Sequence, residues 1–317
     1  MYTELNDMDE KIGQFDVIIV GGGPAGMAAA LWCDELGMTS CLLDSAPSFG
    51  GQLHWIHNQV TNYLGVKFDN GQAVFRASST SLSDRRFTHI LDCGVVSIDP
   101  ATDSVLLDDG REISAKAIVL ATGARRRKLG IPGETEFEEK GILGSGSRDR
   151  TEASGRKVAV IGGGDAALEN ALILASVAEK VFLIHRRDRF SARGEFIKAI
   201  NDDDRIEVML NAQVKEFGGS SDLEFVDIQL AGGGSSRIAV KKAVVRIGVQ
   251  PNSEILLGIA NLDDAGYVNV DREGRTSVPG VYAIGDIANP TSPTISTATG
   301  SAASAIKSIA SFIRRTE

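Results

Sequence analysis

The chain has 317 residues, a length that allows one large or two ordinary domains. Hydrophobic residues make up 43% of it, which is too large a fraction for a disordered chain. The formal net charge of −9 argues against a dedicated binder of nucleic acid or of anionic membranes. No apolar run reaches the roughly 18 residues of a membrane span. The acidic N-terminal segment lacks the apolar stretch of a signal or transit peptide. We therefore expect a soluble, cytoplasmic protein with neither nucleic acid nor membrane as partner.

Glycine is the outlier in the composition, with 35 residues that are clustered rather than periodic. This distribution indicates tight loops and excludes a collagen-like repeat. The three cysteines, Cys33, Cys41 and Cys93, form no C-x-x-C pair, and no spacing of histidine and cysteine matches a zinc site. We therefore expect neither a disulfide scaffold nor a metal site.

The first elements of the chain have the pattern of a dinucleotide-binding unit. The apolar strand FDVIIV leads into the loop GGGPAG, an alanine-rich helix and a second buried strand that ends at Asp44. In this context Gly21 permits the tight turn, Gly23 lets the backbone approach a pyrophosphate, and Gly26 lets the helix pack on the strand. The helix N-terminus offers N–H groups to phosphates, and Asp44 would accept hydrogen bonds from ribose hydroxyls. A purely structural glycine turn is the alternative.

Short strands are expected over residues 86–123, with turns at Asp99–Pro100 and Asp109–Gly110. The strand–loop–helix–strand plan then returns over residues 157–187 as KVAVI, GGGDAA, a helix and KVFLI, followed by three basic residues. This second loop uses Gly162 and Gly164, with Ala167 in the third position. Two such units predict an α/β protein with two dinucleotide-binding domains.

The end of the second unit differs from the first in charge. His185 stands where the first unit has its acid, and Arg186 and Arg187 follow at once. Cations in place of a carboxylate favour a 2′-phosphate, and hence NADPH over NADH. A solvated basic turn after the strand is the alternative.

The remaining segments are also strand-rich. Residues 204–249 are expected to form strands broken by a glycine turn at 232–234, and the apolar strand GVYAIGD follows. A helix rich in alanine and serine is expected from about Thr297 to the end. Near-continuous apolar strands that alternate with helices predict parallel sheets covered on both faces.

Several motifs recur in the order in which low-molecular-weight thioredoxin reductases have them. They are GGGPAG, GGQL at Gly50–Leu53, ATGA at Ala121–Ala124, IPGE at Ile131–Glu134, GGGDAALENA, HRRDRF and GVYAIGD. From Phe15 onward the chain therefore resembles this family over nearly its whole length. The resemblance implies a homodimer of chains with two Rossmann-like, three-layer ββα domains. Residues 1–123 and 248–317 would form an FAD domain, and residues 124–247 an inserted NADPH domain.

The resemblance also assigns residues to the two cofactors. Those implied at FAD are Gly21, Gly23, Pro24, Ala25, Gly26, Asp44, Ser45, Gly51, Gln52, Leu53, Asn62, Ala121, Thr122, Gly123, Gly285, Asp286 and Thr297. Those implied at NADPH are Gly162, Gly164, Asp165, Ala166, His185, Arg186 and Arg187. No side chain is assigned a catalytic role, because the flavin would carry the chemistry.

The chain departs from the family at the redox-active C-x-x-C that precedes the second glycine loop. Ungapped counting back from Gly162 places the two relay cysteines at Ser145 and Arg148, neither of which is a thiol. Disulfide exchange needs an attacking thiolate and a resolving thiol. The three cysteines of the chain lie in other segments and are expected to be inert core thiols.

A second departure lies before the last helix, where Pro293–Thr294 stands in place of the family's Arg-Gln. The helix that follows can still direct N–H groups at the flavin. Trp55 is expected either to stack on the flavin or to pack in an ordinary way. His54 and His57 are expected to be surface or packing residues rather than acid–base groups.

The run Arg125–Lys128 is the densest basic segment of an acidic chain. One interpretation is a solvated turn between the two domains. The other is a docking patch for an acidic redox partner such as ferredoxin or flavodoxin.

The sequence favours an FAD- and NADPH-dependent oxidoreductase that passes electrons from the flavin directly to an external acceptor. This is similar to ferredoxin/flavodoxin–NADP⁺ reductases of thioredoxin-reductase type, which usually carry a longer C-terminal extension; a small-molecule acceptor is the other possibility. One alternative is reduction of a disulfide in a partner or small molecule without the usual relay. A non-catalytic, flavin-bound sensor is a third hypothesis, against which the retained basic segment at His185 argues.

Overall fold

The computed structural model of the chain describes residues 3, 4 and 14–316. The N-terminal segment, for which no signal or transit peptide is expected, lies largely outside them. The described residues divide into two compact units. The first unit comprises those up to Arg125 and those from Gln250 onward, and the second comprises Arg126–Val249.

Strands outnumber helices in the described part of the chain. The strands are β1 (Thr3–Glu4), β2 (Phe15–Val20), β3 (Ser40–Leu43), β4 (Thr88–Ile90), β5 (Val95–Asp99), β6 (Ser104–Leu107), β7 (Glu112–Leu120), β8 (Ala124–Arg126), β9 (Lys157–Gly162), β10 (Lys180–Ile184), β11 (Ile206–Met209), β12 (Ala212–Gly219), β13 (Leu223–Leu230), β14 (Ser235–Ala239), β15 (Lys242–Arg246), β16 (Val249–Pro251) and β17 (Val281–Ala283). The helices are α1 (Pro24–Glu35), α2 (Gly71–Leu82), α3 (Asp165–Ala175), α4 (Gly194–Asn201) and α5 (Ile295–Thr316). Single 3₁₀ turns cover Gly51–Trp55, Arg150–Ala153, Glu254–Leu256 and Gly285–Ile287.

An eight-stranded sheet is the framework of the first unit, in the order β1-β4-β3-β2-β7-β6-β5, with β17 also paired to β7. The strands β1, β4, β3, β2, β7 and β17 are parallel to one another. The hairpin of β5 and β6 adds antiparallel pairing at the start of β7. The parallel strands bring the carboxyl ends of β2, β3 and β7 to one edge, which is where ligands bind in open α/β sheets.

Both faces of this sheet are covered. Val17 and Ile19 of β2 pack in one core cluster with α1 and α5, whereas Ile18 packs on the other face with residues of β5, β6 and β17. All three side chains have 0% exposure. Burial on both faces explains why the strand is a continuous apolar run rather than an alternating one. The small side chains of Ala29 and Ala30 allow α1 to lie close to the sheet.

The second unit has three layers. Its parallel sheet runs β11-β10-β9-β15, and its antiparallel sheet runs β12-β13-β14. The helices α3 and α4 pack on one face of the parallel sheet around Leu168 and Val160. The antiparallel sheet packs on the other face around Phe217 and Ile161. The predicted fold class, α/β with Rossmann-like domains, is therefore confirmed. The strands β8 and β16 form a two-stranded sheet of their own.

Two helices were missed by the sequence analysis, and the last one begins earlier than expected. Asn70 caps α2 by accepting a 3.0 Å hydrogen bond from the N–H of Ala73, but the helix is too polar to show a clear apolar period. The eight residues of α4 are too few for a periodic pattern. The final helix α5 starts at Ile295 rather than near Thr297. No helix in the described part of the chain is both long and apolar enough to cross a membrane.

Replacing Ile309 with alanine is expected to lower the free energy of unfolding of the first unit by about 2–5 kcal/mol. Ile309 has 0% exposure and lies in the core cluster that joins α5 to α1. Ser304→Ala, on the exposed side of the same helix, is the matched control and should change stability by no more than about 0.5 kcal/mol. Urea unfolding followed by circular dichroism checks both variants. Equal losses would contradict the packing of α5 against α1.

Candidate functional site

The first glycine loop joins β2 to α1 through close backbone contacts. Gly21 has a φ of +107°, and a Cβ there would overlap the carbonyl oxygen of Ala121. A Cβ on Gly26 would overlap the carbonyl oxygen of Gly21. At Gly23, in contrast, no described atom lies within 4 Å of the place a Cβ would take. Gly21 and Gly26 are therefore required by packing, whereas Gly23 keeps space open in front of α1.

The N-terminus of α1 has no side-chain cap. Its N-cap residue is Gly23, and the helix starts at Pro24, which has no N–H group of its own. The N–H groups of the first turn that follow Pro24 are left for a ligand, and the helix dipole favours an anion there. A phosphate is the ligand that this geometry suits.

Two adjoining cavities open at the carboxyl ends of β2, β3 and β7. One has a volume of about 510 Å³ and extends towards Cys93 and Val95. The other has a volume of about 360 Å³ and extends towards Gln52, Asp286 and Ile295. Both are lined by Gly21, Asp44, Ser45, Thr122 and Asn252. Two cavities with a common wall suit an elongated ligand with two ring systems joined by phosphates, such as an adenine dinucleotide.

Most of the residues implied at FAD line these cavities. They are Gly21, Gly23, Pro24, Ala25, Asp44, Ser45, Gly51, Gln52, Leu53, Ala121, Thr122, Gly123 and Asp286. Four do not. Gly26 packs on the loop backbone, and a Cβ on Gly285 would lie 2.8 Å from the Cβ of Ala25. Asn62 is exposed, and Thr297 takes part in capping α5.

Asp44 is held by the loop that it faces. One carboxylate oxygen accepts a 2.6 Å hydrogen bond from the N–H of Gly22, and the other accepts a 2.8 Å bond from the N–H of Ala46. A carboxylate has about four acceptor positions, so each oxygen keeps one for a ribose hydroxyl. The two backbone bonds fix the orientation of this carboxylate before any ligand binds.

Two hydrogen-bonded polar side chains, Gln52 and Asp286, line the smaller cavity. The amide nitrogen Nε2 of Gln52 donates a 3.0 Å hydrogen bond to Oδ2 of Asp286. Burial raises the pKa of Asp286, and the bond from Gln52 opposes that rise. These side chains offer a donor and an acceptor to the polar groups of a flavin cofactor.

Asn252 is a cavity residue that the sequence analysis missed. Its Nδ2 donates a 2.7 Å hydrogen bond to the carbonyl of Thr122, while Oγ1 of Thr122 donates a 2.7 Å bond to the carbonyl of Asn252. Nη1 of Arg125 donates a 2.6 Å bond to Oδ1 of Asn252. This reciprocal pairing joins segments that lie 130 positions apart, so no local sequence signal could have revealed it.

The N-terminus of α5 also reaches the smaller cavity, which Pro293, Thr294, Ile295 and Ala298 line. Oγ1 of Thr294 accepts a 3.2 Å hydrogen bond from the N–H of Thr297, as an N-cap does. Oγ1 of Thr297 donates a 2.6 Å bond to the carbonyl of Ser292. Thr297 therefore orders the segment before the helix, and its neighbours face the cavity.

The glycine loop of the second unit repeats the packing of the first. Gly162 has a φ of +148°, and a Cβ there would lie 2.8 Å from the Cβ of Ala167. Near Gly164 the space is open except for Oγ of Ser191 at 3.8 Å. The next residue, Asp165, starts α3, and the Ala166 side chain that follows is exposed. This loop therefore offers the same approach to a pyrophosphate as the first.

Asp165 already has a partner at this helix N-terminus. Its carboxylate accepts a 2.8 Å hydrogen bond from the N–H of Arg193 and a 2.7 Å bond from its Nε. The bond from the Arg193 backbone is the largest cause of the lowered pKa of Asp165. The ion pair partly cancels a negative charge that would otherwise repel a phosphate at this loop.

In the basic segment after β10, the His185 side chain is packed against the protein, whereas the next two side chains are exposed to solvent. The ring of His185 packs on Gly163, and its Nε2 lies 3.0 Å from the carbonyl oxygen of Arg189. Burial lowers the pKa of His185, and the charges of Arg187 and Arg186 lower it further. The guanidinium groups of Arg186 and Arg187 are exposed and make no hydrogen bond or ion pair with the described residues. Two open cations therefore directly follow His185, which stands where the first unit has Asp44.

All three cysteines are buried and free. Cys33 and Cys41 have 0% exposure and belong to the core clusters on opposite faces of the sheet. Burial raises the pKa of each of these two thiols to about 12. Burial also raises the pKa of Cys93 to about 11, assisted by the Asp108 and Asp109 carboxylates that accept its hydrogen bonds. No group of three or more His, Cys, Asp or Glu among the described residues is placed to hold a metal ion.

The two positions that counting assigns to the relay share one turn. The N–H of Arg148 donates a 3.4 Å hydrogen bond to Oγ of Ser145. The guanidinium of Arg148 pairs with both carboxylate oxygens of the buried Asp149. Oδ2 of Asp149 in turn accepts a 3.0 Å bond from the N–H of Ser145. The turn is held by an ion pair and contains no thiol.

The side chains of the basic run Arg125–Lys128 form ion pairs or hydrogen bonds with residues of their own units. Arg125 pairs with Glu254, and Lys128 pairs with Glu138 at 2.8 Å. Arg126 donates to the carbonyl of Gly144, and Arg127 donates a 3.4 Å bond to the carbonyl of Val249. These contacts weaken the interpretation of the run as a docking patch.

The chain matches a family model over residues 15–305, and the model is described as pyridine nucleotide-disulphide oxidoreductase. A thioredoxin reductase of Mycolicibacterium smegmatis is 32% identical over 294 residues, which are 92% of this chain and 94% of the relative. An NADH dehydrogenase of Bacillus subtilis (strain 168) is 31% identical over 313 residues, 96% of this chain and 59% of that relative.

Solved structures of thioredoxin reductases have a similar fold. The thioredoxin reductase of Lactococcus lactis in its FR conformation has a TM-score of 0.83 and 28% identity, covering 95% of this chain and 100% of the other. The thioredoxin reductase of T. acidophilum has a TM-score of 0.80 and 27% identity, covering 95% and 99%.

Gly26→Ala and Gly23→Ala are expected to separate the packing role of the loop from its ligand-binding role. Because a Cβ on Gly26 would overlap the Gly21 carbonyl, Gly26→Ala should lower the stability of the first unit by about 1–3 kcal/mol and weaken FAD binding. Gly23→Ala has room in the free protein and should weaken FAD binding with a stability change below about 1 kcal/mol. FAD titration and thermal unfolding of the apoprotein measure both effects. Equal stability in the two apoproteins would contradict this assignment.

Proposed function

Because the chain belongs to the pyridine nucleotide-disulphide oxidoreductase family and resembles its thioredoxin reductases, we propose that it is an NADPH-dependent flavoprotein without an internal redox disulfide. FAD and NADPH are the cofactors of the thioredoxin reductases that the chain resembles. In this proposal electrons leave the flavin directly for an external acceptor, and the protein is a homodimer.

One contrast carries the proposal. The dinucleotide cavity of the first unit and the glycine loop of the second unit are both present, whereas no described thiol is placed to exchange a disulfide. Thiolates are the reactive form of cysteine. With pKa values of about 12, 12 and 11, Cys33, Cys41 and Cys93 are almost entirely protonated at neutral pH.

The residues of the first unit would bind and orient the flavin cofactor. Bound FAD would supply the ability to accept two electrons and to release them singly or together. Asp44 would hold the adenosine ribose, and the N-terminus of α1 would hold the pyrophosphate. Gln52 and Asp286 would contact the polar part of the cofactor that reaches the smaller cavity.

The residues of the second unit would select the nicotinamide dinucleotide. The open guanidinium groups of Arg186 and Arg187 suit a 2′-phosphate, which carries the charge that NADH lacks. His185, whose pKa is lowered by burial and by these two cations, would pack beside the loop. A sensor without turnover has no need of such a site, which is why we prefer an enzyme.

A second candidate is the reduction of a disulfide in a bound partner. The names of the relatives from M. smegmatis and L. lactis favour it. It would require the partner's disulfide to meet the flavin itself, because no relay thiol is available. A ferredoxin-like or flavodoxin-like protein and a small molecule are the other acceptors that the proposal allows.

Replacing both Arg186 and Arg187 with alanine is expected to raise the KM for NADPH about ten- to a hundredfold, since charge-assisted bonds contribute roughly 1.5–3 kcal/mol. NADH has no 2′-phosphate, so its KM serves as an internal control and should change little. Steady-state reduction of an artificial acceptor with each nucleotide measures the ratio. An unchanged preference for NADPH would refute the assignment of the two arginines.

Anaerobic titration of the flavoprotein with NADPH is expected to bleach the flavin and to stop at two electrons per flavin. A family member with a relay disulfide would take up four. A variant with serine at Cys33, Cys41 and Cys93 should give the same stoichiometry, although hydroxyls in the core lower its stability. Thioredoxin reduction by the parent that disappears in this variant would show that a cysteine relay exists. Failure of NADPH to bleach the flavin would contradict the proposed function.

A further inference from the structure

A further cavity of the first unit lies beside the two that suit the dinucleotide, and we call it the apolar cavity. It has a volume of about 300 Å³ and lies between α1, α2, α5 and the segment that precedes α2. Pro24 and Ile295, the first residues of α1 and α5, line both the apolar cavity and the smaller dinucleotide cavity. A ligand in the apolar cavity would therefore lie next to the part of the cofactor that Gln52 and Asp286 contact.

Apolar and aromatic side chains form most of the wall of this cavity. Trp32, Tyr63 and Phe68 are half-buried there, and Met27 is 3% exposed. No charged residue is among the described residues that line the apolar cavity, whereas carboxylates line both dinucleotide cavities. An unpaired charge is costly to remove from water. The apolar cavity therefore suits an uncharged ligand that contains aromatic rings.

The aromatic walls are held in place by contacts within the first unit. Val60 and Phe68 exchange two backbone hydrogen bonds of 2.9 and 3.2 Å, which close the segment between them into a loop. The rings of Tyr63 and Phe68 meet edge to face, with their centroids 6.0 Å apart. Nζ of Lys307 lies over the Trp32 ring, 4.6 Å from its centroid, and Lys307 does not line the cavity. Because the rings are already ordered, a flat ligand would bind at little further cost in conformational entropy.

Two hydroxyl groups add hydrogen-bonding capacity to this apolar wall. Tyr63 and Ser78 line the cavity, and neither side-chain hydroxyl makes a hydrogen bond with a described residue. Oγ of Ser81, in contrast, donates a 3.1 Å hydrogen bond to the carbonyl of Ala77. A hydroxyl can donate one hydrogen bond, so Tyr63 and Ser78 together offer two donors to a ligand. Two donors in an uncharged cavity match a ligand with two carbonyl oxygens.

We propose that the apolar cavity binds the electron acceptor and that this acceptor is a quinone. The inference rests on the proposed function, because it names the class of acceptor. Quinone rings are flat and uncharged, and their two carbonyl oxygens would accept hydrogen bonds from Tyr63 and Ser78. A volume of about 300 Å³ is at the lower end for small-molecule sites, which favours a quinone of one or two rings.

The overall reaction balances without a further reactant. NADPH gives up a hydride, which carries two electrons and one proton, and becomes NADP⁺. The quinone gains those two electrons and two protons, the second of which comes from solvent, and becomes a hydroquinone. FAD begins and ends the cycle in its oxidised form.

Small side chains on α2 leave the cavity open and provide a means of closing it. Ala77 and Ser81 are one helical turn apart, and both are exposed and line the cavity. A phenyl ring at position 77 would fill the cavity without the loss of a buried side chain. Thr80 is exposed on the same helix and does not line the cavity, so Thr80→Phe is the matched control for Ala77→Phe.

Calorimetric titration of the oxidised flavoprotein with dimethylnaphthoquinone tests the site without turnover. The two methyl groups of this probe block the ring positions that thiols attack. We expect one quinone to bind per chain in the parent and in Thr80→Phe, and binding at least about tenfold weaker in Ala77→Phe. Tyr63→Phe keeps the ring and removes the hydroxyl, and should weaken binding about two- to tenfold. The flavin absorbance of each variant shows that it retains FAD.

Four results would overturn the inference. One is a parent that binds no quinone, and another is equal binding by the parent and Ala77→Phe, which indicates an adventitious site only. The third is binding that is lost as chains associate at higher protein concentration, which assigns the cavity to a second copy of the chain. The fourth is equal affinity in Tyr63→Phe and the parent, which contradicts recognition of a carbonyl oxygen. Ser81→Phe replaces Ala77→Phe if that protein does not fold, and should weaken binding to the same extent.

Turnover gives a second, separate readout. Dimethylnaphthoquinone is compared with ferricyanide, an anion that an uncharged cavity excludes, as acceptors for electrons from NADPH. The ratio of kcat/KM for the quinone to kcat/KM for ferricyanide should fall at least about tenfold in Ala77→Phe and should equal that of the parent in Thr80→Phe. A constant ratio in both variants would contradict the inference. Failure of NADPH to reduce ferricyanide through the parent would contradict the proposed function, while the calorimetric result would stand.

Discussion

The approach of α1 to the end of β2 is the constraint on which the dinucleotide cavity depends. A glycine at position 26 is the only residue type that permits the helix to reach the Gly21 carbonyl, and this contact directs the N-terminus of α1 at the carboxyl edge of the sheet. Because β3 and β7 flank β2, the residues that follow them supply the walls of the cavity, with Asp44 on one side and Thr122 on the other. In the second unit the close contact of Gly162 with the end of β15 has the same effect.

The two strand–loop–helix–strand segments, around Gly21 and around Gly162, thus differ in the charge that follows their second strand. In the first unit the carboxylate of Asp44 is fixed by two backbone N–H groups. In the second unit the corresponding ring of His185 is packed and its pKa is lowered, and the exposed Arg186 and Arg187 beside it carry positive charge. The first unit therefore presents a rigid hydrogen-bond acceptor, whereas the second unit presents two long, flexible cationic side chains. In the proposed function, these few side chains determine which dinucleotide each unit binds.

The parts of the protein that were predictable are those governed by short-range rules. The strand–loop–helix–strand order around Gly21 and Gly162 follows from apolar runs and glycine spacing, and it was read correctly. Asn252 was missed because its role depends on pairing with Thr122, far away in sequence. The helix α2 was missed because its capping residue Asn70 precedes a polar segment without a clear apolar period. The partners of the basic run, Glu254 and Glu138, were missed because they come from segments that composition cannot assign to it.

The burial of the thiols has a consequence for the setting in which the protein can work. Reduced flavins that meet oxygen release peroxide, and peroxide oxidises cysteine through its thiolate towards sulfenic and sulfinic acids. Cys33 and Cys41 are enclosed on opposite faces of the sheet, and Cys93 keeps its proton beside two carboxylates. Enclosed thiols that keep their protons are therefore expected to be oxidised slowly by peroxide, even when the reduced flavin itself is the source of that peroxide.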